Sequence, residues 1–119
     1  MQVFGITELI EKRSASKETW LEFLRVPDLS MGLYVLAVGE RDEQEPHSED
    51  EIYYVLSGEG VIQVDGEDRP VEAGSVLFVA KNEDHRFHSI TSELTLLVFF
   101  APAEGANEPG SLGDAERRR

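Results

Sequence analysis

The sequence has no cysteine, so disulfides and thiolate metal sites are both excluded, and any metal must be held by nitrogen and oxygen. It is poor in positive charge, with 11 Lys and Arg against 24 Asp and Glu and a formal net charge of −13. That balance argues against DNA or RNA as a partner, because phosphate contacts need a Lys/Arg surface. It argues equally against docking on an anionic membrane. No apolar run approaches 18 residues, so no membrane span is expected. A basic stretch followed by an apolar one, the mark of a secretory signal, is missing from the start, which favours a cytoplasmic location.

What is present suits one domain. The 119 residues are 40% hydrophobic and 29% charged, a globular balance. Ile6, Leu9, Ile10 and Arg13 recur at helical spacing within a mixed extension, residues 1–20. Residues 21–102 read as short strands: Gly32–Val38, Ile52–Leu56, Gly60–Val64, Pro70–Val71, Ser75–Ala80, Arg86–Ile90 and Leu94–Phe100. Turn signals divide them, at Ser57–Gly60, at Asp65-Gly66 and at Glu72–Gly74. Such a series predicts an all-β sandwich or barrel. Residues 103–119, rich in Ala, Gly, Pro and charge, read as a flexible tail, with Arg117–Arg119 as a basic hook or a solvated end. Trp20, Phe23 and Leu24 would cap the barrel or, the preferred reading, pack on a second subunit.

The chemistry-bearing residues gather in two places. From Glu40 to Glu51 there are seven carboxylates and one Arg, and His47 and Glu51 stand four residues apart within that run. His85 follows the Asn82-Glu83-Asp84 turn at the head of a strand. Hairpin topology would bring both strand starts to one mouth of a barrel. Two imidazoles and a carboxylate there would suit Fe(II), Mn(II) or Zn(II) and leave positions open for water or substrate. The same spacing also fits a plain hydrogen-bonded pair. Period-2 alternation places Tyr53 on the face of Glu51, as cavity lining or packing, and Phe87 beside His85 as a packing wall. Arg86 and His88 should point outward.

The segment from Gly39 to Gly58 resembles the first motif of the cupins: Gly39, five residues, Glu45-Pro46-His47, three residues, Glu51, six residues, Gly58. The family's usual first His is replaced by Glu45. The segment from Gly74 to Ser89 is similar to the second motif in Gly74 and His85, but Ala80, Asn82 and Ser89 replace its Pro, Gly and Asn. The resemblance implies a double-stranded β-helix, the jelly-roll barrel, with a short N-terminal helix or strand extension. It implies one divalent transition metal ion, Fe, Mn or Zn, held by His47, Glu51 and His85 with Glu45 in the fourth position. Two carboxylates would favour Mn(II) or Fe(II). Gln44 is a further candidate: alternation puts it on the opposite face, but Pro46 could bend the chain and bring it in. Tyr53 as acid, and Glu45 as base if it does not bind the ion, would serve a dioxygenase-like or isomerase-like enzyme acting on a small organic molecule. The alternative is a non-catalytic module that binds or senses such a molecule. Relatives of this kind commonly pair, so a homodimer is expected.

Overall fold

Gly5, in extended backbone, opens helix α1 (Ile6–Ser16), and Lys17 closes it in the left-handed region with its N–H returned to the Ser14 carbonyl. Leu9 is the buried residue of this helix, which packs on the first two strands. The structure, a computed structural model, describes residues 1–106; Arg117–Arg119 and most of the expected tail lie outside the described residues. No helix among them is long and apolar enough to cross a membrane.

Six strands follow: β1 (Trp20–Val26), β2 (Leu29–Leu36), β3 (Asp50–Val64), β4 (Glu67–Glu72), β5 (Val76–Val79) and β6 (His85–Ala101). All pair antiparallel, in the order β1-β2-β6-β3-β4, with β5 on the free side of the first half of β3. The expected all-β architecture and short N-terminal helix are both present. The two long strands serve two layers. Asp50–Val55 lies between the end of β6 and β5, whereas Glu59–Val64 lies between the start of β6 and β4. Alternate side chains then converge on one core that includes Tyr34, Tyr53, Phe87, Leu96 and Phe100.

Two expected breaks are continuous strand instead. Ser57–Gly60 does not turn: β3 runs through it with register shifts against β6 on either side of Ser57 and Glu59. Gly58 has φ +99°, and a Cβ there would sit 2.1 Å from the Glu93 carbonyl oxygen, so the Gly marks a bulge rather than a loop. The same pairing joins Arg86–Ile90 and Leu94–Phe100 into β6. The Asp65-Gly66 hairpin forms as expected, with φ positive at both residues. Pro70 is tolerated because β4 is an edge strand.

Trp20 corrects the preferred reading of its cluster. Its ring meets Tyr34 and Phe100 edge-on, at 6.3 and 6.2 Å, and packs on the core of its own barrel. Gly32 makes the space, since a Cβ there would lie 2.3 Å from that ring. Phe23 instead meets Phe4 at 5.0 Å. Beyond β6 the packed chain runs on through Gly105. The Ala103 N–H donates to the Pro27 carbonyl, the Glu104 N–H donates to Ser30 Oγ at 2.8 Å, and Arg25 Nη2 donates to the Glu104 carbonyl at 2.8 Å.

Candidate metal centre

The loop between β2 and β3, residues 37–49, is fastened to the barrel by one buried carboxylate. Asp42 Oδ1 accepts from the Tyr34 hydroxyl at 2.7 Å. Its Oδ2 accepts from the Phe87 N–H at 2.9 Å and from Gln44 Nε2 at 2.7 Å. A second tie runs to the β5–β6 turn, where the Asn82 N–H donates to the His47 carbonyl at 2.7 Å. The loop therefore delivers Gln44 and His47 to the end of the barrel where β3 and β6 present Glu51, Tyr53 and His85.

His47, Glu51 and His85 are all buried, and one donor atom from each lies within 4.8 Å of the others. With Gln44 and Tyr53 they close a five-membered ring of nitrogen and oxygen. His47 Nε2 is 3.2 Å from Gln44 Oε1, which accepts from the Tyr53 hydroxyl at 3.1 Å. That hydroxyl lies 3.1 Å from His85 Nε2, which in turn lies 3.1 Å from Glu51 Oε1. Glu51 Oε1 is 3.9 Å from His47 Nε2. Two ligands about 2.1 Å from one ion and at right angles to each other are about 3.0 Å apart, so most of these edges have the length a shared ion would impose.

The imidazoles are aimed by what stands behind them. His85 Nδ1 lies 3.0 Å from the Glu83 carbonyl, which can only accept, so Nδ1 carries the proton and Nε2 faces the ring. His47 Nδ1 faces Glu104 Oε2 at 3.7 Å. Burial disfavours the charged form of His85, but the hydrogen bond and charge of Glu51, the Glu83 carbonyl and the charge of Asp42 outweigh it, and its pKa is raised. Phe87 walls the site, edge-on to Tyr53 at 5.0 Å.

The charge around the ring is one-sided. Asp42, Glu49, Glu51 and Glu104 are buried, whereas no Lys or Arg among the described residues is. Glu49 accepts from Ser48 Oγ through one oxygen, and its other oxygen is buried with no hydrogen-bond partner. Buried carboxylates require a compensating positive charge. A proton on an imidazole or a divalent cation can supply it here, so the donor set fits a transition ion.

Glu45 is not in the ring. It is exposed, and Gln44 occupies the place expected of it. Glu45 holds the motif position of the usual first His, and alternation would turn Gln44 to the opposite face, but residues 40–47 are not strand, and Asp42 draws Gln44 inward by its amide nitrogen. His88 turns away from the ring and pairs with Asp68 at 2.9 Å. Three buried carboxylates were missed. Asp42 and Glu49 look like any other members of an acidic run, and Glu104 lies in a segment whose composition reads as tail. Outside the ring, an open groove of about 740 Å³ runs between residues 39–44 and 84–89, with Gln44 and His85 lining both.

The sequence model of the family described as "Cupin domain" matches residues 32–101. An uncharacterized protein of Streptomyces coelicolor is 42% identical over 104 residues, which cover 87% of this chain and 99% of that one. An oxalate-binding protein of Thermotoga maritima is 51% identical over a shorter stretch of 35 residues, 29% of each chain. Among solved structures, an RmlC-like cupin from Methanocaldococcus jannaschii, described as a double-stranded β-helix, superposes with a TM-score of 0.69. It is 20% identical and the match covers 86% of this chain and 91% of that one.

Proposed function

The chain belongs to the cupin family, and on that premise we propose that it is a metal-binding cupin acting on a small organic molecule at the His47–Glu51–His85 cluster. One observation carries the reading: two imidazoles and four carboxylates are buried with no buried Lys or Arg among the described residues to balance them. The ion we assign is a single divalent Fe, Mn or Zn. Once bound, such an ion would supply Lewis acidity toward an oxygen-bearing substrate, which serves dioxygenase-like and isomerase-like conversions alike. The chain's own part is to orient and to move protons. The Tyr53 hydroxyl, set between Gln44 and His85, is the proton donor nearest the cluster. Glu45, exposed and outside the ring, is given no part in this reading.

Metal analysis of protein purified without chelator tests this reading: about one transition ion per chain is expected, lost in His47→Ala and kept in His88→Ala. A wild-type protein that takes up no Fe, Mn or Zn would overturn it. The match to an oxalate-binding protein favours a second reading, a module that binds a small oxyanion without turning it over. Oxygen uptake and product analysis with diols, diketones and flavonoids, beside thermal shifts with oxalate, separate the two. A shift with oxalate and turnover of nothing supports the module.

We also propose a homodimer, built on the outer face of the β2-β6-β3-β5 layer. The register aligns Met31, Phe99, Ile52 and Phe78 in one row across four strands and Leu97, Tyr54 and Val76 in the next, where the β2 member, Leu33, is already buried within the chain. Phe78 is 63% exposed and Val76 68%. A contiguous apolar face of this kind marks an interface, and a second copy offers the same uncharged surface within an otherwise strongly acidic one.

A further inference from the structure

Gln44 is the ring member for which the ligand-bearing residue types give no reason. Its amide could present either end to the cluster, and Asp42 decides which. Both Asp42 oxygens are acceptors, so the group 2.7 Å from Oδ2 is the amide nitrogen, and the oxygen is turned the other way. There it accepts from the Tyr53 hydroxyl and lies 3.2 Å from His47 Nε2. Asp42 is itself held by the Tyr34 hydroxyl and by the Phe87 N–H. Turning the amide over would set an oxygen against a carboxylate and two N–H donors against the cluster.

Resting on the metal-site reading above, we propose that Gln44 Oε1 is the fourth protein donor to the ion, in place of Glu45, and that Asp42 is the positioning residue that keeps the oxygen facing inward. The consequence is a donor set of two nitrogens, one carboxylate and one neutral amide oxygen. The donor set then carries one formal charge rather than two, so its own ligands withdraw less of a divalent ion's Lewis acidity than they would with Glu45 bound, while Asp42 and Glu104 balance the ion from outside the donor set.

The test is Mn(II) binding, with free Mn(II) read by electron paramagnetic resonance, in variants whose folding is checked by circular dichroism. Gln44→Leu should weaken binding about ten- to a hundredfold, and Glu45→Ala should leave it within about twofold of wild type. Asp42→Leu should weaken binding as Gln44→Leu does. Asp42→Asn should restore it to within about threefold, because an amide oxygen can still accept from Gln44 Nε2 and from the Phe87 N–H. Should Asp42→Leu fail to fold, Gln44→Leu and the Asn variant decide. Undiminished binding in Gln44→Leu, or a loss in Glu45→Ala, would overturn the ligand assignment; a loss in Asp42→Asn as large as in Gln44→Leu would overturn the role of Asp42. A wild-type protein that binds neither Mn(II), Zn(II) nor Co(II) fails the underlying metal-site reading instead, so the two failures are distinct.

Discussion

His47 turns one ring nitrogen to the cluster and the other to Glu104, whose Oε2 lies 3.7 Å from Nδ1 with both side chains buried. At that distance the carboxylate acts through its charge, favouring a positive charge on the imidazole, whether a proton or a bound ion. Glu104→Gln removes that charge and keeps the shape. It should lower metal affinity about tenfold while the backbone ties of residue 104 to Ser30 and Arg25 hold the fold. Isothermal titration with Zn(II), beside the melting temperature of the metal-free protein, checks both halves.

The raised pKa of His85 sets a pH dependence of known sign. Its folded value lies above its unfolded value of about 6.5. In metal-free protein its stabilising contribution is therefore complete below about pH 6.5 and is lost as pH rises through the folded value. The ion competes with the same proton, so binding releases it and strengthens over the same interval. The melting temperature of metal-free protein should fall across this window, and the increment added by Zn(II) should grow. An increment that is flat from pH 6 to 9 would separate His85 from the ion.

Gly58→Ala should destabilise the barrel by about 2 kcal/mol or more, from the positive φ together with the contact against the Glu93 carbonyl. Urea unfolding of the metal-free protein measures this directly. Gly66→Ala is the control: its φ of +84° carries the backbone strain alone, since nothing lies within 4 Å of its added Cβ, and it should cost less.

Phe78→Glu places a charge at the exposed β5 end of the outer apolar rows without touching the core, because Phe78 faces outward between Leu77 and Val79. Sedimentation velocity should show the wild type as a dimer and this variant as a monomer of unchanged secondary structure. A wild type that sediments as a monomer at high micromolar concentration would remove the proposed interface.

Much of this was readable from the residues. The strand rhythm and the Asp65-Gly66 hairpin indicated an all-β sandwich or barrel, and the resemblance of the two motifs singled out the barrel and His47, Glu51 and His85, three members of the ring. The unread parts have physical reasons. Gly58 signals positive φ but cannot say whether the chain then turns or bulges, and that choice belongs to the β6 pairing. Glu45 is favoured by its motif position and Gln44 disfavoured by alternation, which holds only where a ladder enforces it, and none reaches residues 40–47. Glu104 came from beyond the expected end of the barrel, and its place depends on contacts with Pro27, Ser30 and Arg25, 74 to 79 residues away for the last two.

Glu51 and Tyr53 sit on a strand paired on both sides, with β5 and with β6, whereas Gln44 and His47 arrive on a loop fastened chiefly by Asp42 and the Asn82 N–H. Half of the site thus opens only when the barrel does, and half opens when a handful of loop hydrogen bonds part. A captured ion would leave through that cheaper route. Its residence time is then governed by how often the loop lets go, and a variant such as Asp42→Leu should hasten release of the ion into a chelator far more than it hastens unfolding.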